Sequence, residues 1–138
     1  MSILSDRSLQ CFRIFQRSMI QANIRNSSGK LIPVGSVLIV VRGMILNHSV
    51  PTAITKKPLT VNQDMKAVLP GKKLNGEFLL FFLNGVRDYL LRHTYNSADG
   101  TKVMSIERLE RTFIGLPDQK EQAELVSQLK DRLAKMAF

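Results

Sequence analysis

Residues 76–92 are apolar nearly all round: Phe78, Leu79, Leu80, Phe81, Phe82, Leu83, Val86, Leu90 and Leu91 leave no continuous polar face. A helix of that kind is stable in water only when other elements pack around it. Its length favours a helix, although Leu79-Leu-Phe-Phe-Leu83 alone suits a strand equally well. The chain must therefore supply layers to cover this segment. Its 138 residues make one domain's worth of sequence, which buries roughly two-thirds of its unfolded surface. At 44% hydrophobic and 22% charged residues, it has the composition of a globular domain and not of a disordered one.

The covering elements can be read from local signals. Gly35-Ser36 introduces Val37-Leu-Ile-Val-Val41, short and rich in β-branched residues with Gly43 just beyond, which predicts a buried strand. Residues 42–58 are punctuated by Gly43, Pro51 and Pro58, so loops and short strands are expected. Residues 60–69 read as extended, with Met65, Ala67 and Leu69 on one face, Lys66 on the other, and Pro70-Gly71 closing the segment. Asn75 is placed to cap the apolar helix. Residues 96–100 form a turn cluster, Ser105 caps a short helix holding Ile106 and Leu109, and Phe113-Ile-Gly-Leu116 is a short strand stopped by Pro117. Asp118 and Glu121 have capping-box spacing. The helix they open carries Val126, Leu129, Leu133 and Met136 in a heptad-like stripe, which fits both helix pairing and simple docking. In residues 5–23, Ser5 and the spacing of Leu9, Phe12, Phe15, Met19 and Ile20 predict an amphipathic helix. The expected class is α+β: a small mixed or antiparallel sheet around a buried helix, with a further helix at the C-terminus.

Charge is distributed unevenly. Residues 1–30 hold five basic groups against one acidic, residues 31–75 six against one, and residues 76–138 nine against nine. The whole excess of +9 thus lies in the first 75 residues. This pattern suits a surface facing a polyanion, and equally a generally basic domain. No apolar run approaches the roughly 18 residues of a membrane span. The first residues lack the pattern of a secretory signal, and the lone Cys11 forms no internal disulfide. The expected location is cytoplasmic, with no membrane partner.

Catalytic patterns are missing. There is no phosphate-binding glycine loop ending in Lys-Ser/Thr, no Gly-x-Ser-x-Gly elbow and no Cys–His pairing. His48 and His93 lack partners at metal-ligand spacing. Asp118 and Glu121 faintly resemble a nuclease carboxylate pair, but Gln122 and Ala123 stand where a lysine would be needed. The expectation is a protein without catalysis, metal or cofactor of its own.

Several segments resemble, in order, the later part of a target-recognition domain in type I restriction-modification specificity subunits. They are Val41-Arg-Gly-Met-Ile-Leu46, Pro51-Thr-Ala-Ile54, Val61-Asn-Gln-Asp-Met-Lys-Ala-Val-Leu-Pro70, Asn75-Gly-Glu-Phe-Leu79, Ala98-Asp-Gly-Thr101, Ile114-Gly-Leu-Pro117 and Glu121-Gln122. The resemblance spans residues 31–130. It implies a target-recognition-like domain over 31–117 and the start of a coiled-coil-like spacer helix over 118–138, with 1–30 an N-terminal helical lead. Such subunits hold two recognition domains and two spacers in a much longer chain, so the expectation is a truncated product, a half-subunit or a fragment. The resemblance further implies recognition of double-stranded DNA for a methyltransferase subunit and, through it, a restriction subunit. S-adenosylmethionine and ATP would belong to those partners. The alternatives are a structural or oligomerisation remnant and a recognition module of a type II-like system.

Within that reading, Arg42 suits bidentate contact with guanine, or equally a structural salt bridge. Lys56, Lys57, Lys72 and Lys73 adjoin turns and suit phosphate neutralisation, or simply solvated loops. Thr101 and Lys102 are placed to approach the DNA backbone. Asn62 and Gln63 are expected to hold the fold through hydrogen bonds, and Phe78, Phe81 and Phe82 to be core. Leu125, Val126, Leu129, Leu133 and Met136 are the candidates for a partner helix or for self-association.

Overall fold

The computed structural model describes residues 10–13 and 31–136. The elements run β1 (Gln10–Arg13), β2 (Val37–Val40), β3 (Thr52–Ile54), β4 (Met65–Val68), α1 (Gly76–Gly85), α2 (Arg87–Arg92), β5 (Thr94–Asn96), β6 (Lys102–Met104), α3 (Ile106–Glu110), β7 (Phe113–Leu116) and α4 (Gln119–Met136). A single 3-10 turn, Met44–Asn47, follows β2. The class is α+β with small antiparallel sheets, as the apolar segment and its short flanking strands require.

The central sheet has the order β3-β2-β4, antiparallel throughout, with Val37 opposite both Ile54 and Val68. Strand β2 is apolar along its length because both of its faces are covered. Val37, Ile39 and Val41 enter the main core with Val68, Leu79, Leu83, Leu90, Met104, Leu109 and Ile114. Leu38 and its partner Ala67 face the other way, into a smaller core with Ile32 and Val61. Helix α1 lies against β3 and β2. Gly76 permits this approach: a Cβ there would sit 3.2 Å from Cδ1 of Ile54 and 3.3 Å from the carbonyl oxygen of Gly35.

The Asn75 side chain caps α1 by accepting from the backbone N–H groups of Glu77 and Phe78, which satisfies two otherwise orphaned donors. The apolar run expected as one helix is two, broken at Val86 beyond Gly85. Phe78 and Phe82 pack on the main core; Phe81 is half-buried outside that cluster.

Two departures from the sequence reading stand out. The turn cluster expected at residues 96–100 joins two strands that local signals do not announce, β5 and β6, which pair as an antiparallel hairpin. Residues 10–13, placed within an expected helix over 5–23, form β1, antiparallel to β7 with Cys11 opposite Gly115. Pairing with a distant strand overrides the local helical spacing there; the rest of that expected helix lies outside the described residues. Among the described residues, no helix is long and apolar enough to cross a membrane.

Candidate nucleic-acid interface

The register of the central sheet divides the seven basic and polar candidates into two groups. Lys56 and Lys57 follow β3, and Lys72 and Lys73 follow β4, both at the end where β2 begins. Arg42 leaves the other end of β2, where β6 meets it and brings Thr101 and Lys102. From Gly35 to Arg42 the chain advances roughly 20 Å at about 3.3 Å per residue. The two groups therefore occupy opposite ends of the sheet.

At the Arg42 end, the hairpin is fixed to β2 through the backbone. Met104 N–H donates to the Val41 carbonyl at 2.8 Å, and Gly43 N–H donates to the Lys102 carbonyl at 2.9 Å. Arg42 itself bridges Val103 and donates its N–H to the Asp64 carbonyl at 3.2 Å. Gly43 then turns the chain at φ 142°, a conformation that other residues rarely adopt. The guanidinium of Arg42 donates from Nη2 to Asp99 at 2.9 Å, giving the salt-bridge geometry that was one of its two readings. Asp99 sits in the hairpin turn and also accepts from the Ser97 hydroxyl and the Thr101 backbone N–H. The Ser97 hydroxyl above all, then the groups of Thr101, and lastly the Arg42 charge hold the Asp99 carboxyl well below the usual carboxylate range. Met44, Ile45 and Tyr95 are exposed at this end of the molecule. Thr101 and Lys102 are half-buried.

At the opposite end, Lys56, Lys57, Lys72 and Lys73 are all exposed. The loop that carries the second pair is anchored by Gln122 of α4, which is fully buried. Its Nε2 donates to the carbonyls of Lys73 at 2.9 Å and Pro117 at 2.8 Å, and its Oε1 accepts from Asn75 N–H at 2.7 Å. Both side-chain donors and the acceptor are thus satisfied, as a buried amide requires. The sequence motif Glu121-Gln122 marked this residue but not its burial. Asp118 caps α4 by accepting from Glu121 N–H at 2.9 Å, and Lys130 pairs with Glu77 of α1.

The match to a family model decides what kind of chain carries this arrangement: residues 11–137 match the type I restriction modification DNA specificity domain. The chain belongs to that family. A specificity subunit of a type I restriction enzyme from Escherichia coli is 33% identical over 103 residues, which cover 75% of this chain and 26% of the relative. The fold recurs in a structure concerned with complex assembly and conformational transition of the type I R-M system (TM-score 0.63, 23% identity, 80% of this chain and 26% of that one). It recurs in the HsdS subunit of Thermoanaerobacter tengcongensis (TM-score 0.61, 22% identity, 80% and 25%). The S subunit of M. genitalium is similar over 99% of this chain and 43% of its own (TM-score 0.65, 11% identity). The chain thus spans about a quarter of the curated relative's length.

The specificity-domain match starts at residue 11, well before the span of residues 31–130 over which the sequence motifs carry the resemblance. Of the two residues expected to hold the fold, Asn62 makes a local turn contact, its Oδ1 accepting from Asp64 N–H at 3.0 Å, and Gln63 is exposed. Helix α4 buries Val126 and half-buries Leu125, but Leu129, Leu133 and Met136 are exposed, the last two at 53% and 78%. The stripe therefore docks at its start and stands free beyond it. His93 packs edge-on against Tyr89, with ring centroids 4.7 Å apart. Among the described residues, no three His, Cys, Asp or Glu side chains gather as a metal site.

Proposed function

We propose that this chain recognises a double-stranded DNA target as part of a type I specificity subunit, without catalysis of its own, and so positions a methyltransferase subunit and, through it, a restriction subunit. The supporting observation is the grouping of three candidate contact residues at one end of the sheet. Arg42, Thr101 and Lys102 are brought together there by backbone hydrogen bonds between β2 and the β5–β6 hairpin, in a chain of the DNA specificity family. A rigid frame of this kind holds side chains in register with base edges, while phosphate contacts supply most of the affinity. Residues 31–117 act as the recognition domain. The exposed stripe Leu129, Leu133 and Met136 on α4 serves as the spacer that pairs with a partner helix. S-adenosylmethionine and ATP are bound by the partner subunits.

Titration of random duplex DNA across a salt series tests this reading. The logarithm of the binding constant should fall linearly with the logarithm of salt concentration, with a slope of about −0.9 per phosphate contacted. Absence of binding at every salt concentration, with the chain folded, would overturn it.

A further inference from the structure

Resting on that reading of the site, we propose that Asp99 is a positioning residue that presets Arg42 as a guanine-reading fork, so that the two segments read one G·C base pair together. Three observations carry this. First, the Cα of Arg42 is fixed on two sides, by Asp64 of the segment entering β4 and by Val103 of β6. Only its side chain is left to be placed. Second, Asp99 takes hold of one terminal nitrogen at 2.9 Å from across a sequence separation of 57 residues. Arginine has five N–H donors in a planar fork, and no other side-chain hydrogen bond engages this guanidinium among the described residues. Most of the fork therefore remains available, and the side chain is 38% exposed.

Third, the surroundings of the fork suit a base edge better than a purely structural ion pair. Tyr95 lies opposite Val103, and Val103 opposite Arg42. Directly paired residues share a sheet face, so an exposed aromatic, an aliphatic side chain and a guanidinium form one row. Met44 and Ile45 stand exposed immediately after Gly43. Arginine pairs bidentately with O6 and N7 of guanine, and apolar side chains contact thymine methyls. A fork already held by Asp99 loses less side-chain freedom on contact.

The test is selection from a randomised duplex library by the wild-type chain, Arg42→Ala, Arg42→Lys, Asp99→Asn and the double variant Arg42→Ala/Asp99→Asn. Wild type should enrich a motif containing a G·C pair. Arg42→Ala and Arg42→Lys should each lower the preference at that pair by about tenfold or more. Asp99→Asn should lower it at the same pair, and the double variant should be no worse than Arg42→Ala. A merely structural Asp99 would instead weaken all sequences alike and lower the thermal midpoint. Full retention of the preference in Asp99→Asn, or flattening spread over the whole motif, overturns the proposal while target recognition stands. Failure of the wild type to enrich any motif overturns target recognition itself, and the fork with it.

Discussion

Both ends of the central sheet carry basic side chains, yet they are built on different principles. At one end a single arginine is held by backbone on two sides and by a carboxylate at its tip. At the other, four lysines stand exposed on turns, and what is fixed is the loop beneath two of them, through the buried Gln122. Fixed guanidinium groups discriminate between base pairs, whereas mobile ammonium groups serve as point charges for phosphate. On the proposed function, net charge is then a poor guide to which end reads sequence: the lysine-rich end would be the one less able to specify it.

The largest expected effect comes from Gln122→Ala. It removes a fully buried side chain and leaves the part-buried Asn75 N–H and the carbonyls of Lys73 and Pro117 without their partner, at a cost of roughly 3 kcal/mol. A fall of roughly 10 °C in thermal midpoint should follow. Hydrogen exchange should accelerate around residues 73–78 and leave the β5–β6 hairpin protected; equal acceleration at both ends would show that they are not independent. Replacing Lys56, Lys57, Lys72 and Lys73 by alanine should change stability by no more than about 0.5 kcal/mol. If all four neutralise phosphates, the salt dependence should become shallower by about 3.6 in slope, with base preference retained. An unchanged slope would remove this end from the DNA surface altogether.

Leu129→Ala/Leu133→Ala should leave the thermal midpoint of the chain within about 2 °C of wild type, because both side chains are exposed. Association with a methyltransferase subunit, followed by co-purification, should weaken; unchanged association would count against α4 as a pairing helix. The smallest effect concerns acid. The Asp99 carboxyl is held below its ordinary range by Ser97, Thr101 and Arg42. Its contribution is therefore complete above the pKa of an unfolded aspartate, about 3.9, and is lost only as pH falls through the depressed folded value. The stability difference between wild type and Asp99→Asn should thus be constant at neutral pH and shrink only in strong acid. A difference that disappears near pH 6 would contradict this assignment.

The parts of the fold set by neighbouring residues were legible in the sequence. Asn75, Ser105 and Asp118 each cap the helix they precede, because a cap needs only a side-chain oxygen and the next three residues. Strand β2 was readable from its β-branched run. The β5–β6 hairpin was not: Thr94, Tyr95 and Asn96 carry no alternation, and their extended form comes from pairing with β6. For the same reason β1 was read as part of a helix. Arg42 drew attention because Gly43 follows it, but its partner Asp99 is invisible without tertiary structure. The separation of the lysines from Arg42 likewise depends on antiparallel register. A count of charges along the chain cannot supply that.

The pairing of β1 with β7 has a kinetic consequence. Gln10 meets Leu116 and Arg13 meets Phe113, so this ladder closes a loop of roughly 100 residues. The entropy of closing so long a loop must be met before its few hydrogen bonds form. The central sheet and α1 depend on much shorter separations, and they assemble first. The β1–β7 ladder then joins last, acting as a clasp on a body already folded.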